Sequence, residues 1–181
     1  MNEYKITVQG EEYFIPLDKI NTGEMLEEAK RRLDEVIAKN ATANQLLKET
    51  TAHNNKGIES EKLGRINEAI NIYEENIAIG YPATLSFDRL MILYRRNKDY
   101  KNEIRVCNRA IDVFFAENQR RAEVAIEAEP SKEDEIMNAL ISCKKVMGSH
   151  GFYCFVPFDV VAMRDRLHKA EILLTKQQEG M

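Results

Sequence analysis

The chain is poor in the residues that usually carry chemistry or cross-link a fold. It has three cysteines, three histidines, four prolines and no tryptophan in 181 residues. Cys107, Cys143 and Cys154 are an odd number at unpatterned spacing, which argues against a disulfide framework and for free thiols in a reducing compartment. Cys143, His150 and Cys154 match no common zinc spacing and lack a fourth ligand, so buried thiols and a loop histidine are expected instead. His53, His150 and His168 lie in separate segments, with no paired acid and nucleophile nearby in sequence. There is no phosphate loop, nucleophile elbow or zinc-protease helix motif. Neither catalysis nor a metal or cofactor is expected. No apolar run approaches the ~20 residues of a membrane span. The charged, strand-like N-terminus does not read as a secretory leader. A cytoplasmic protein with no membrane partner is the expectation.

What is present is a soluble helical composition, 44% hydrophobic and 31% charged. That length supports one compact domain, or one with a small appendage, and buries roughly two-thirds of the unfolded surface without a staple. The net charge is −4, which gives no global attraction for nucleic acid. Locally the balance reverses: residues 86–121 hold nine Lys/Arg against five Asp/Glu. Such a patch can select an acidic partner. Equally, it can be a solvated helix face whose cations pair internally.

Residues 3–17 read as a β-hairpin. Tyr4, Ile6 and Val8 alternate with polar residues, as do Tyr13, Ile15 and Leu17, and Gln9-Gly10-Glu11-Glu12 supplies the turn. A helix is expected from Asn21 or Thr22, with Leu26, Ala29, Leu33 and Val36 on one face and a break or kink at Asn40–Asn44. The spacing then predicts helices at about 50–63, 66–79, 84–97 and 100–116, the last free to run toward Glu129 because no strong breaker precedes Pro130. Ser131 and Asp134 resemble a capping box for a helix carrying Ile136, Met137, Leu140, Ile141 and Val146. Gly148 and Gly151 end it. An aromatic loop or short strand, Phe152 to Phe158, precedes a final helix from about Asp159 to Gln178.

The strongest pattern is internal. Residues 65–80 return in altered form at 99–114, an offset of 34. Ile70 returns as Ile104 and Ile77 as Ile111, while Ile72 becomes Val106 and Ile79 becomes Val113. Within the first unit Gly57 and Ala69 are the small residues that let helices approach closely and Tyr73 the aromatic that fills the space between repeats, while His53, Lys56 and Ser60 depart from the pattern. In the second, Phe87, Leu90 and Tyr94 fit, whereas Met91 replaces the glycine and Glu103 and Cys107 depart from the pattern, so looser or shifted packing is expected there. A 34-residue period of helix pairs resembles the tetratricopeptide repeat. Asp88-Arg89-Leu90, Tyr94-Arg95-Arg96 and Asn102-Glu103-Ile104-Arg105-Val106 are similar to a subtype found in small bacterial proteins. The resemblance covers about 50–116, with the last helix, Arg164 to Leu174, as a further candidate. It implies a mainly α protein: an α-α superhelix of helical hairpins (50–116) behind an N-terminal β-hairpin (1–20) and a capping helix (21–49). C-terminal helices with an aromatic loop (117–181) complete it.

What the resemblance implies about function is protein or peptide binding, since stacked hairpins build surfaces rather than catalytic pockets. Asn54, Glu61, Asp88, Ile92 and Arg95 share the inner face of the first helices, with Lys62, Arg89 and Arg96 at its margin. Arginine forks there would take a short acidic peptide. The alternative for Arg89 is a pair with Glu103 or Asp99 that braces the repeat. Some family members clamp a carboxylate at positions matching Asn54, Ile58 and Arg89. Ile58 cannot donate to one. Nucleic acid bound through the basic 89–121 stretch is a second reading, and a homodimer through the hairpin edge or the 26–36 face is a third. Phe152, Tyr153, Phe155 and Phe158 form either a plug that seals the helices or an exposed anchor for a partner.

Overall fold

The computed structural model describes the backbone of residues 3–8, 11–16 and 23–180, and side chains from Lys30 onward except Val36 and Met181. The protein is mainly helical, and the chain divides into two compact units, one up to Leu47 and one from Lys48.

In the first unit, strands β1 (Glu3–Val8) and β2 (Glu11–Pro16) pair antiparallel, with Tyr4 opposite Ile15 and Ile6 opposite Tyr13. Glu11 and Glu12 belong to the second strand and not to the turn. The connection and Leu17 lie outside the described residues. Helix α1 (Gly23–Lys62) runs unbroken through Asn40–Asn44, where a break was expected. Two alanines there are strong helix formers. Thr42 returns its hydroxyl to the Ala38 carbonyl at 3.0 Å, which satisfies it within the helix. The segment expected as a separate helix from residue 50 is therefore the last part of α1.

In the second unit, α2 (Ile66–Ile79), α3 (Thr84–Arg96) and α4 (Tyr100–Ala128) follow the end of α1. Gly64 supplies the turn after α1 at φ 73°, a left-handed conformation that costs glycine little. The Arg65 N–H closes it by donating to the Ser60 carbonyl at 2.8 Å. Asp99 caps α4, accepting from the Asn102 N–H at 3.2 Å.

The first core joins α2, α3, the first half of α4 and the start of α6 (Val160–Glu179). Tyr73, Phe87, Leu90, Met91, Val106, Phe114 and Val160 are at most 1% exposed there. Phe87 meets Phe114 edge-on at 5.3 Å between centroids. Positions 34 apart explain how the two helix pairs close. Gly57 lies under Tyr73, whose ring would stand 2.6 Å (Cζ) and 2.8 Å (Cδ1) from any Cβ at that residue. The corresponding pair is Met91 and Cys107, both buried, with sulfurs 3.2 Å apart. The expected looseness at Met91 is absent: the large and small partners have changed sides, so the summed volume is nearly kept. Burial in this spot pushes the Cys107 thiol up to about 11.

The second core is built on the far half of α4. Ala122 and Ala125 meet Ile136, Ala139 and Leu140 of α5 (Glu133–Ser142) and Val146 and Phe155 of a small hairpin. The hairpin's strands are β3 (Val146–Met147) and β4 (Tyr153–Phe155). Ser131 makes no side-chain cap. Pro130–Lys132 form a 3-10 turn that feeds α5 directly. The helix stops at Ser142, short of Val146, because Cys143 turns left-handed and the Lys144 N–H donates to the Ala139 carbonyl at 3.1 Å. The start of α6 is fixed by buried Asn118, which donates to the Phe158 carbonyl (3.0 Å) and accepts from the Phe158 N–H (2.7 Å). From there α6 runs back along α4.

Candidate functional site

The face formed by the last turns of α1 and by α3 carries the site, because both helices present side chains that their hairpin partners do not cover. An open groove of about 350 Å³ lies there, lined by Ile58, Glu61, Lys62, Leu85 and Arg89. Ile58 and Leu85 are the apolar part of the lining, both half-buried. The charged part is partly spoken for. Arg89 donates from Nε to Glu61 Oε1 at 2.8 Å and from Nη2 to Oε2 of the same carboxylate. Tyr73 donates its hydroxyl to Glu61 Oε1 at 2.8 Å. Arg89 therefore braces the helices through Glu61 and not through Glu103 or Asp99.

The same arrangement recurs one helix later. Tyr94 donates to Glu74 Oε1 at 2.6 Å, and Arg105 Nη2 donates to that oxygen too. Each brace is a carboxylate that receives a phenol and a guanidinium from two later helices. The Arg89 hydrogen bond, ahead of the opposing burial, holds the Glu61 carboxyl below its ordinary value, with Tyr73 adding to it. Arg120 does the same for Glu117, helped by Arg121. These depressed carboxylates contribute stability that is present above their unfolded value of 4.5 and is lost as pH falls through the lower folded values. Thermal melting should therefore drop on acidification below 4.5, and Glu61→Gln should flatten that slope. An unchanged slope in the variant would remove Glu61 from the acid response.

The other expected site residues are distributed as follows. Asn54 accepts from Asn76 Nδ2 (2.9 Å) and Ser86 Oγ (2.7 Å), within a buried polar knot that also takes in the Thr50 carbonyl. Asp88 is exposed. Desolvation pushes its carboxyl up, against the pull of Arg166 on α6. Ile92 is half-buried. Arg95 reaches Glu103, which is fully buried, from Nε at 2.9 Å, and Arg166 meets the other oxygen of that carboxylate at 3.2 Å. Arg96 is exposed and among the described residues has no hydrogen bond or ion pair, although its charge reaches Glu61. The groove thus collects Glu61, Lys62 and Arg89, with Arg96 beside them. Asn54 Oδ1 and Arg95 Nε are engaged inside the fold. Leu85 was not legible as a lining residue, since nothing separates it in sequence from an ordinary helix position. The Glu103 pairing did carry a signal: a carboxylate stands where the first helix pair has buried Ala69, and a charge there requires partners.

The basic stretch is largely neutralised. Arg89, Arg95, Arg105, Arg120 and Arg121 each pair with a carboxylate: Glu61, Glu103, Glu74, and Glu117 for the last two. The aromatic cluster divides. Phe155 is buried, and Phe158 packs on Phe114 at 4.7 Å beneath the Arg121 guanidinium. Phe152 and Tyr153 are 81% and 54% exposed. All three cysteines are free, and no three His, Cys, Asp or Glu side chains among the described residues stand together as a metal-ligand set. Among the same residues no helix is long and apolar enough to cross a membrane. Compared with family models, curated proteins and solved structures, the chain finds no match.

Proposed function

We propose that the chain is a non-catalytic binding protein of the tetratricopeptide type that takes a protein or peptide segment in the α1–α3 groove. One observation carries the reading: the groove is open, with an apolar lining from Ile58 and Leu85 and charged side chains at its margin. The closure of Gly57 on Tyr73, repeated 34 residues on by Met91 and Cys107, supports the repeat architecture that such a groove needs. Arg96 and Lys62 are the exposed cations that would meet an acidic ligand, while Glu61 and Arg89 would hold the walls. Nucleic-acid binding draws less support, because five of the nine cations in 86–121 already face carboxylates.

The test is affinity capture from the native lysate with nuclease present, at low and moderate salt, followed by titration of the captured protein. Ile58→Asp should weaken a groove ligand at least about tenfold, and Arg96→Glu by a smaller, salt-dependent factor. Neither change touches a buried pair, unlike any substitution of Arg95. Binding that survives Ile58→Asp, or capture only of nuclease-sensitive and salt-labile material, would overturn the groove reading.

A further inference from the structure

The exposed apolar residues of the second unit concentrate outside the groove. Seven large ones lie between residues 124 and 156: Val124, Met137, Ile141, Met147, Phe152, Tyr153 and Val156. Their neighbours Ile136, Ala139, Leu140, Val146 and Phe155 already fill the second core, so the exposed set is surplus to it. Met137 and Ile141, 47% and 72% exposed, are four residues apart and share the outer face of α5.

The charges around this pair are ordered. Glu133 and Asp134 open α5, and Lys144 and Lys145 follow its end, all four exposed. The order is symmetric about residue 139. Met137 and Ile141 stand two residues on either side of it, Asp134 and Lys144 five, and Glu133 and Lys145 six. A face that is acidic at one end, apolar in the middle and basic at the other is its own complement when a copy is laid against it in the opposite direction. Two-fold contacts are self-complementary in this sense: residue i meets j, and j meets i. Lys145 also lies 5.2 Å from the centroid of the exposed Tyr153 ring, which ties the basic end to the hairpin's outer face.

We propose that the outer face of α5, extended by the β3–β4 hairpin, binds a second copy of this chain antiparallel about a two-fold axis beside residue 139. Met137 meets the copy's Ile141, and the acidic opening of each α5 meets the lysines that follow the other. The occupant is the same chain because the required charge order is the one this face itself carries. A dimer through α5 leaves the groove of each copy open, so the inference stands apart from the proposed function.

Sedimentation velocity of the full chain over a wide concentration range tests it. The wild type should pass from monomer to dimer, and Ile141→Asp should raise the dissociation constant by about tenfold or more. Glu133→Lys with Asp134→Lys, and separately Lys144→Glu with Lys145→Glu, should each weaken self-association. Mixing these two variants should restore a dimer, because each then presents only the charge that the other lacks. All of these positions are exposed, and an unchanged melting temperature confirms that the variants fold. A wild-type chain that stays monomeric throughout would overturn the proposal. So would a dimer indifferent to Ile141→Asp, or a mixture that associates no better than its separate components.

Discussion

Gly57→Met is expected to lower the unfolding free energy by about 3 kcal/mol, the upper part of the range for overpacking a core. Tyr73→Cys in the same chain should recover a measurable part of that loss. Any side chain at residue 57 starts inside the Tyr73 ring, which is itself fully buried and cannot swing into solvent without opening α2 from α1. Tyr73→Cys alone should cost about 3–5 kcal/mol by analogy with large-to-small aromatic changes, and it also removes a hydrogen bond to Glu61. The double variant reproduces the pair the protein already uses 34 residues later, where Met91 and Cys107 fill the same interval without exposure. Urea unfolding of the four chains gives the coupling energy. It should favour the double variant by more than about 1 kcal/mol over the sum of the singles. Simple additivity would mean that the two helix pairs do not close in the same way.

The second large effect is expected at Glu103. Its carboxylate is fully buried and held by Arg95 from α3 and Arg166 from α6, so one side chain fastens three helices. Glu103→Ala should destabilise by about 3 kcal/mol, the lower end for breaking a buried pair, because both arginines keep partial access to water. Replacing all three charges, Arg95→Met, Glu103→Ala and Arg166→Met together, should return stability to within about 1 kcal/mol of the parent. Apolar packing often substitutes for a buried ion group without loss. If the triple variant is the least stable, the charges contribute net stability that apolar packing does not replace.

Much of the helix pattern was legible because the signals were local. Gly64, Gly80 with Pro82, and Asn97–Asp99 end or begin helices by backbone geometry, and α2 appears over the interval that hydrophobic spacing predicts. The misjudged stretches were those where two local signals conflicted. Asn40–Asn44 mixes turn formers with alanine, and helix propagation from both sides decided for helix. Val146 continued an apolar spacing, yet the left-handed Cys143 stopped the helix three residues earlier. The groove was legible only in part. Helical spacing places Glu61 on the inner face and Arg89 at its margin. It does not say that Arg89 is spent on Glu61, or that Arg95 turns to a Glu103 carboxylate shared with Arg166, because such pairings depend on how α1, α3, α4 and α6 come together.

The braces described above differ in the length of chain that each closes. Tyr73 and Arg89 reach Glu61 across 12 and 28 residues, and Tyr94 and Arg105 reach Glu74 across 20 and 31. Arg166 reaches Glu103 across 63. Closure entropy grows with the logarithm of loop length, about 0.6 kcal/mol per doubling. The ordering cost is thus divided among small loops for the end of α1 through α4, whereas the approach of α6 closes larger ones, 40 residues from Asn118 to Phe158 and 63 from Glu103 to Arg166. The last helix also docks on a surface it does not make, the Glu103 carboxylate and the Phe114 ring, which exist as a surface only once α3 and α4 have met. The C-terminal helix is thus the keystone of the second unit: it locks a span that other helices make.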